Sequence, residues 1–460
     1  MRIFYTLFFC CFFTFSFSQN KGELKKIWVE FADKANSEHT ADQPEKFLSQ
    51  RSIQRRHRQN ITYDSTDLPV NKVYLEKLES LGATIHSTSK WLNAASVLVN
   101  ADAEAKIAAL NFVKSIKYVG KHLTKLILLR REDKLRDSLP EVFVMDNYYG
   151  HAEEQIKMLN GDFLHNQGFT GKDIWIAILD GGFSNVDIMP FFDSLRANNR
   201  LILPRDFVDG DEYVFESSSH GSQVLSTMAA NYPGLMVGTA PDATYICLKT
   251  EDIRGEYLIE ECNWVAGLEY ADSLGVDVVN SSLGYTIFSD EKMNYSYEDL
   301  NGKTGIATRA ASLAGQKGMI VVNSAGNEGD TEWKYIDIPA DAENILTVGA
   351  VKSNLERARF SSVGPAADGR IKPEIVAMGQ RVVTASVYGA KVNRSRGTSF
   401  SSPIIAGMVA ALWQAFPNNT NHEIMQAIIQ SSSQVDFPDN ELGYGIPDFR
   451  MAYQFLKMKQ

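Results

Sequence analysis

Apolar residues along the chain follow two rhythms, and the change from one to the other falls near residue 150. Before it, short alternating runs are interleaved with helical spacings. Lys26–Ala32 (KIWVEFA), Trp91–Val99 (WLNAASVLV) and Ser115–Val119 alternate as strands do. Pro44–Arg58, with Phe47, Leu48 and Ile53 on one face, Val73–Leu81 and Ala101–Leu110 carry helical periodicity, and Asp102 sits where a helix dipole favours an acid. Strand, helix, strand, helix, strand within about a hundred residues predicts a small α+β two-layer unit over residues 20–120. From Ala152 onward the strands become continuous Val/Ile runs: Ile174–Leu179, Thr244–Leu248, Val276–Asn280, Met319–Asn323 and Leu346–Val351. Helical stretches at Ala152–Gln167, Gly221–Ala230, Tyr257–Leu274 and Gly305–Lys317 separate most of them. Such runs joined by helices predict an α/β fold over 151–460: a doubly wound, mainly parallel sheet with helices on both faces, whose function collects at the carboxyl ends of its strands.

Two further segments complete the organisation. Residues 1–19 (MRIFYTLFFCCFFTFSFSQ) pair one positive charge with an apolar run to about Phe13, then small polar residues. That is the pattern of a secretory signal peptide, too short for a span. No later segment reaches the ~18 apolar residues of a membrane helix, so the mature chain is expected to be exported, to periplasm, cell surface or medium, with no stable membrane span. Residues 121–150, with the charge-dense Leu129–Asp137 and Pro140, read as a linker and processing region.

Charge sharpens the division. Residues 20–150 hold 21 Lys+Arg against 17 Asp+Glu, and with Arg2 and an overall net charge of -10 this leaves 15 net negative charges for residues 151–460. An acidic chain of this kind is not expected to bind nucleic acid, while its two parts have opposite signs and would attract. The basic run Arg51–Arg58 reads as a solvated helix face. Cys247 and Cys262 remain after signal removal and are read either as one disulfide or as two buried thiols. No GxGxxG follows a strand and no GxxxxGK[ST] occurs.

Four places carry candidate chemistry. Asp180 ends an apolar strand (IAILD) before Gly-Gly, and a carboxylate there needs a partner. His220 opens a helix in SSSHGSQV, beside Gly221, and imidazole is the usual general base near neutral pH. Ser399, in RGTSFSSP, precedes an apolar helix over Ile404–Phe416 in whose first turn Pro403 is expected; a helix amino end favours a developing oxyanion. Asn327 leaves a buried strand in VVNSAGNEG, offering a neutral amide donor. Read singly, these fit a turn Asp, a structural His and a capping Ser.

Taken together, in the order Asp, His, Asn, Ser, they resemble the subtilisin-like serine peptidases over roughly residues 150–455. Val279-Asn-Ser-Ser-Leu-Gly284, Phe360-Ser-Ser-Val-Gly-Pro365 and Lys372-Pro-Glu-Ile-Val-Ala377 extend the match. The resemblance implies a serine endopeptidase acting on proteins or peptides as a monomer: Ser399 as nucleophile, His220 as base, Asp180 orienting it, and Asn327 with the Ser399 N–H as oxyanion hole. Ser282, Leu283, Gly284, Ala325 and Gly326 would bind the substrate chain. It also implies that 20–120 is an inhibitory propeptide, making the chain a zymogen and the propeptide its own intramolecular inhibitor. No cofactor is required for the chemistry. Calcium, frequent in the family, is weighed at Asp206, Asp209 and Asp211 against an ordinary solvated turn. The pattern departs at Gln223, in place of a second histidine, at Phe400-Ser401, and at Tyr285 after Ser-Leu-Gly, which would reshape the primary pocket. The alternative reading is a catalytically inactive secreted protein of the same fold that binds peptides.

Overall fold

The computed structural model describes residues 23–35, 37–123 and 144–459. The signal peptide, most of the 121–150 linker and its processing region lie outside them. Among the described residues no helix is long and apolar enough to cross a membrane.

The amino-terminal domain holds β1 (Lys25–Phe31), α1 (Gln50–Arg58), α2 (Lys72–Ser80), β2 (Thr84–Ser89), β3 (Ala94–Val99), α3 (Ala101–Ala108) and β4 (Val113–Lys121). Its antiparallel sheet has the order β2-β3-β1-β4 and packs an apolar face built on Ile27, Val29, Val97 and Val99 against Leu78 and Ile107. The two layers are as expected, with two corrections. β2 (TIHSTS) adds an edge strand whose polar sequence gave no apolar alternation. The stretch from Pro44 to Arg58 is not one helix: a single turn over Pro44–Lys46 is followed by α1, which starts where Ser49 Oγ accepts the Ser52 N–H.

The larger domain contains α4 (Glu153–Lys157), α5 (Gly161–Asn166), β5 (Trp175–Asp180), α6 (Asp193–Ala197), β6 (Arg205–Asp206), α7 (His220–Ala229), the short β7 (Asn231–Tyr232) and β8 (Met236–Val237), β9 (Thr244–Lys249), α8 (Ile259–Leu274), β10 (Val278–Ser281), α9 (Ile306–Gln316), β11 (Ile320–Ser324), β12 (Leu346–Val351), β13 (Ile375–Met378), the hairpin β14 (Gln380–Ala385) and β15 (Val392–Arg396), α10 (Thr398–Ala415), α11 (Asn421–Gln430) and α12 (Phe449–Lys457). Seven parallel strands, in the order β13-β12-β11-β10-β5-β9-β6, form the central sheet. Alternate side chains feed two cores: Ile176, Ile178, Val278 and Val322 face α7 and α10, while Ala177, Leu179, Val279 and Val321 face α8 and α9. This is the doubly wound arrangement, and α10, apolar all round, is buried through most of its length. Cys247 and Cys262 fall in these opposite cores and are free buried thiols, so the disulfide reading is corrected.

The amino-terminal domain is seated on α8 and α9, and here the expectation of a solvated basic helix fails. Arg55 and Arg56 are fully buried. Arg55 Nη2 lies 2.6 Å and Arg56 Nη2 2.8 Å from the Asp272 carboxylate on α8, and Lys90 Nζ is 3.0 Å from it. Arg51 pairs with Asp277, and Lys317 reaches Asp67 at 3.0 Å. Glu269 accepts the backbone N–H groups of Lys90 (2.7 Å) and Trp91 (3.1 Å). The opposite net charges are therefore spent as specific buried pairs across the interface.

Candidate active site

Asp180 is the last residue of β5 and is 1% exposed. Burying a carboxylate demands partners. It has the Gly181 N–H at 2.8 Å and His220 Nδ1 at 2.9 Å to Oδ2 and 3.0 Å to Oδ1. His220 reaches it because backbone meets backbone: a β-carbon on Gly221 would lie 2.4 Å from the Gly182 carbonyl oxygen, and one on Gly182 would lie 2.2 Å from that of Glu216. Burial alone would lower the imidazole pKa, but the charge of Asp180 and its hydrogen bond outweigh it and hold the pKa above the ordinary value.

Ser399 is the second residue of α10 and is 8% exposed. Its N–H is one of the amides a helix start leaves without a backbone acceptor. The helix begins at Thr398, so Pro403 lies in its second turn, which corrects the expectation of a first-turn proline. The missing N–H of Pro403 frees the Ser399 carbonyl four residues back. Ser282 Oγ donates to that carbonyl at 2.8 Å, and Asn280 Nδ2 in turn donates to Ser282 Oγ at 3.1 Å. The Ser399 hydroxyl donates to the Ser282 carbonyl at 3.4 Å rather than to His220. The His220 ring nonetheless stands over the next residue, with its centroid 5.7 Å from that of Phe400.

Asn327 follows β11 and is exposed. Its side-chain carbonyl accepts the Thr398 N–H at 2.8 Å and the Thr398 hydroxyl at 3.2 Å. This orients the amide and leaves its Nδ2 donor without a partner among the described residues. Ala325 and Gly326 sit in the wall with their backbone groups engaged: Ala325 donates to Val348, Gly326 accepts from Ser362, and the Thr398 hydroxyl joins both polar groups of Gly326. Gly284 adjoins the buried Asp337, and Tyr285 is exchanged backbone-to-backbone with Ile338. The Tyr285 ring is buried, and its hydroxyl donates to Glu251 at 2.6 Å. Gln223 accepts from Ser395 at 2.9 Å and Thr384 at 3.3 Å, tying α7 to the β14–β15 hairpin.

The anchoring roles of Thr398 and Ser282 went unread in the sequence, although both lie inside quoted motifs; each acts through a carbonyl or amide that only the fold brings near. Of the acids weighed for calcium, Asp206 pairs with Lys249 at 2.8 Å and Asp209 with Arg254 at 3.1 Å. Their charge is already met by the buried Lys249 and the partly buried Arg254. Glu251, Glu256 and Glu260 converge instead, and burial followed by mutual repulsion raises the carboxyl pKa values of Glu251 and Glu260.

Comparison with known proteins identifies the family. The subtilase family model matches residues 171–445, and the model of the peptidase S8 propeptide domain of Bacteroidota matches 26–136. The chain is 28% identical over 284 residues to subtilisin DY of Bacillus licheniformis, covering 61% of this chain and 91% of that protein. It is 29% identical over 346 residues to subtilisin NAT of Bacillus subtilis subsp. natto, covering 72% and 80%. The fold matches the crystal structure of MycP1 from the ESX-1 type VII secretion system with a TM-score of 0.52, at 20% identity, over 68% of this chain and 88% of that one. The protein belongs to the subtilase family and is a subtilisin-like serine endopeptidase that carries a propeptide domain.

Proposed function

We propose that this chain is the zymogen of an exported peptidase in which Ser399 attacks the scissile carbonyl. His220 takes the hydroxyl proton and returns it to the leaving amine, and Asp180 holds the Nδ1–H tautomer. The observation that carries the reading is the pair of buried Asp180 and half-buried His220 at 2.9 Å, standing over the first turn of the helix that starts beside Ser399. The reading requires the Ser399 hydroxyl to leave the Ser282 carbonyl by a change of χ1 and bond His220 Nε2, and such catalytic bonds commonly tighten only when substrate is bound. In this reading the Ser399 N–H and the Nδ2 of Asn327, neither of which has a partner among the described residues, are the donors that stabilise the oxyanion. Ser282, Leu283 and Gly284 serve the acyl half of an extended peptide as a neighbouring strand.

The amino-terminal domain acts as the intramolecular inhibitor. Its last strand carries Gly120 against Tyr257, and Leu123 just after that strand lies toward Gly255 in the loop after β9; these contacts with the larger domain support the inhibitory reading. Residues 1–19 direct export, and the chemistry needs no cofactor. Ser399→Ala is expected to abolish casein hydrolysis, leave the precursor uncut and remove fluorophosphonate labelling. Normal hydrolysis by that variant would overturn the assignment.

A further inference from the structure

An acidic domain carries an open basic pocket beside its reacting serine. The pocket, about 410 Å³, is lined by Asp330, Lys352, Arg359, Phe360, Gln380 and Arg396. Both arginines are exposed, and among the described residues neither guanidinium is paired with a carboxylate. Lys352 is 2.9 Å from Glu356, and Asp330 forms no ion pair there, so positive charge is in excess.

The pocket is built into the catalytic turns. Arg396 ends β15 three residues before Ser399, at most about 10 Å of extended chain. Asp330 follows Asn327 by three residues, the Gly329 N–H donates to the Phe360 carbonyl at 2.8 Å, and the Gly397 N–H donates to Gly379 at 2.9 Å. The sheet order fixes which half of a substrate lies there. Ser282–Gly284 leaves β10, on one side of Asn327 after β11, whereas Lys352 and Gln380 follow β12 and β13, on the other. A peptide whose acyl half pairs with Ser282–Gly284 and whose carbonyl faces Asn327 must carry its amine half over the β12–β13 side. One and two strand spacings, about 5 and 10 Å, correspond to the second or third residue beyond the cut at ~3.3 Å each.

We propose that Arg359 and Arg396 bind a carboxylate on the leaving-group side of the scissile bond, two or three residues beyond it, and so select substrates acidic there. This rests on the active-site reading above and names its substrate class. The carboxylate has two sources, an Asp or Glu side chain or the free end of a short peptide, and both present the planar geometry a guanidinium fork matches.

The test uses the full chain after maturation, with quenched fluorescent peptides that differ only at the second and third positions after the cut. For amidated peptides, kcat/KM with Glu is expected to exceed that with Gln by about threefold to tenfold, and high salt should flatten the ratio. If the gain occurs only with a free carboxyl end at that distance, the chain terminus is the ligand. Equal rates for Glu, Gln and free-end peptides overturn the proposal. Arg396→Glu should shift the Glu/Lys ratio toward Lys, and Arg359→Gln should lower the Glu/Gln ratio; each ratio is internal to one protein, so a general loss of activity cancels. Unchanged ratios in both variants overturn the assignment to these residues. A peptidyl anilide, which has no residue beyond the cut, separates the two readings. If the matured protein cleaves it while showing no acidic preference, this inference fails and the active site stands; if it cleaves neither the anilide nor any peptide, the active-site reading fails.

Discussion

Two buried aspartates, Asp180 and Asp272, solve the same electrostatic problem in opposite ways. Each is removed from water, where an unpaired carboxylate costs several kcal/mol. Asp180 sits at a strand end with one imidazole and one backbone N–H, all from its own domain. Asp272 sits within α8 and receives Arg55, Arg56 and Lys90, all from the propeptide domain. In the proposed zymogen the first set of partners would survive maturation and the second would leave with the propeptide. A lightly paired acid beside a mobile proton is suited to chemistry; a saturated one that loses every cation on release is suited to holding a precursor together.

The largest break in this comparison comes from Asp180→Asn. The amide keeps the shape but favours the wrong imidazole tautomer, so kcat of the matured protein is expected to fall by about 10⁴, while its thermal midpoint moves little. Retained turnover would place Asp180 outside the reaction.

Asp272→Asn should reverse that pattern. It leaves three cations facing a neutral group at a buried interface, and removing one partner of such a set costs about 3–5 kcal/mol. Urea unfolding of the precursor, held uncut by Ser399→Ala, should show the loss, while turnover of the matured protein stays at its parent value. The sign with pH is set by the same cations. Burial would raise the Asp272 pKa, but Lys90, Arg56 and Arg55 depress it well below the ordinary carboxylate range. Its stabilisation is therefore present above the unfolded value near 3.9 and is lost only as pH falls through the depressed folded value. A docking strength that decayed between pH 7 and 5 through this residue would contradict the assignment.

These two sites were not equally legible in the sequence. Asp180, His220, Asn327 and Ser399 stand at the ends of periodic elements, where apolar strand runs and glycines mark the turns. The central strands were equally readable, because burial on both faces makes them continuous Val/Ile runs. The Asp272 cluster left no local trace. Its arginines lie on a helix with few apolar residues, and their partner is more than 200 positions away. β2 was hidden for a related reason, since its polar side chains serve an edge strand next to α8. The division of residues 152–167 into α4 and α5 turns on Asn160 in a left-handed conformation, which helical spacing does not register.

Asn327→Ala sharpens the active-site half. Its carbonyl is fixed by Thr398 and its amide is open, so truncation should lower kcat by about 10²–10³, with a much smaller change in KM. A fall in binding as large as the fall in turnover would mean that Asn327 holds the ground state rather than the oxyanion. Thr398→Val, which deletes one of the two bonds orienting that amide, should act in the same direction and more weakly.

The smallest effect is the pH midpoint of activity, and it tests the pairing of Asp180 with His220 directly. The imidazole pKa is raised because the neighbouring carboxylate favours its charged form more than burial disfavours it. The neutral form is the base, so kcat/KM of the matured protein should rise with pH, with a midpoint above the ordinary imidazole value of about 6.5. Stability from the same pair runs the other way: it is complete below the unfolded value and is lost as pH rises through the raised folded one. Activity should therefore climb over the interval in which the His220–Asp180 attraction weakens. In Asp180→Asn the residual activity should titrate at a lower pH, because burial then acts without the opposing charge. An unmoved midpoint would mean that Asp180 is not what raises it.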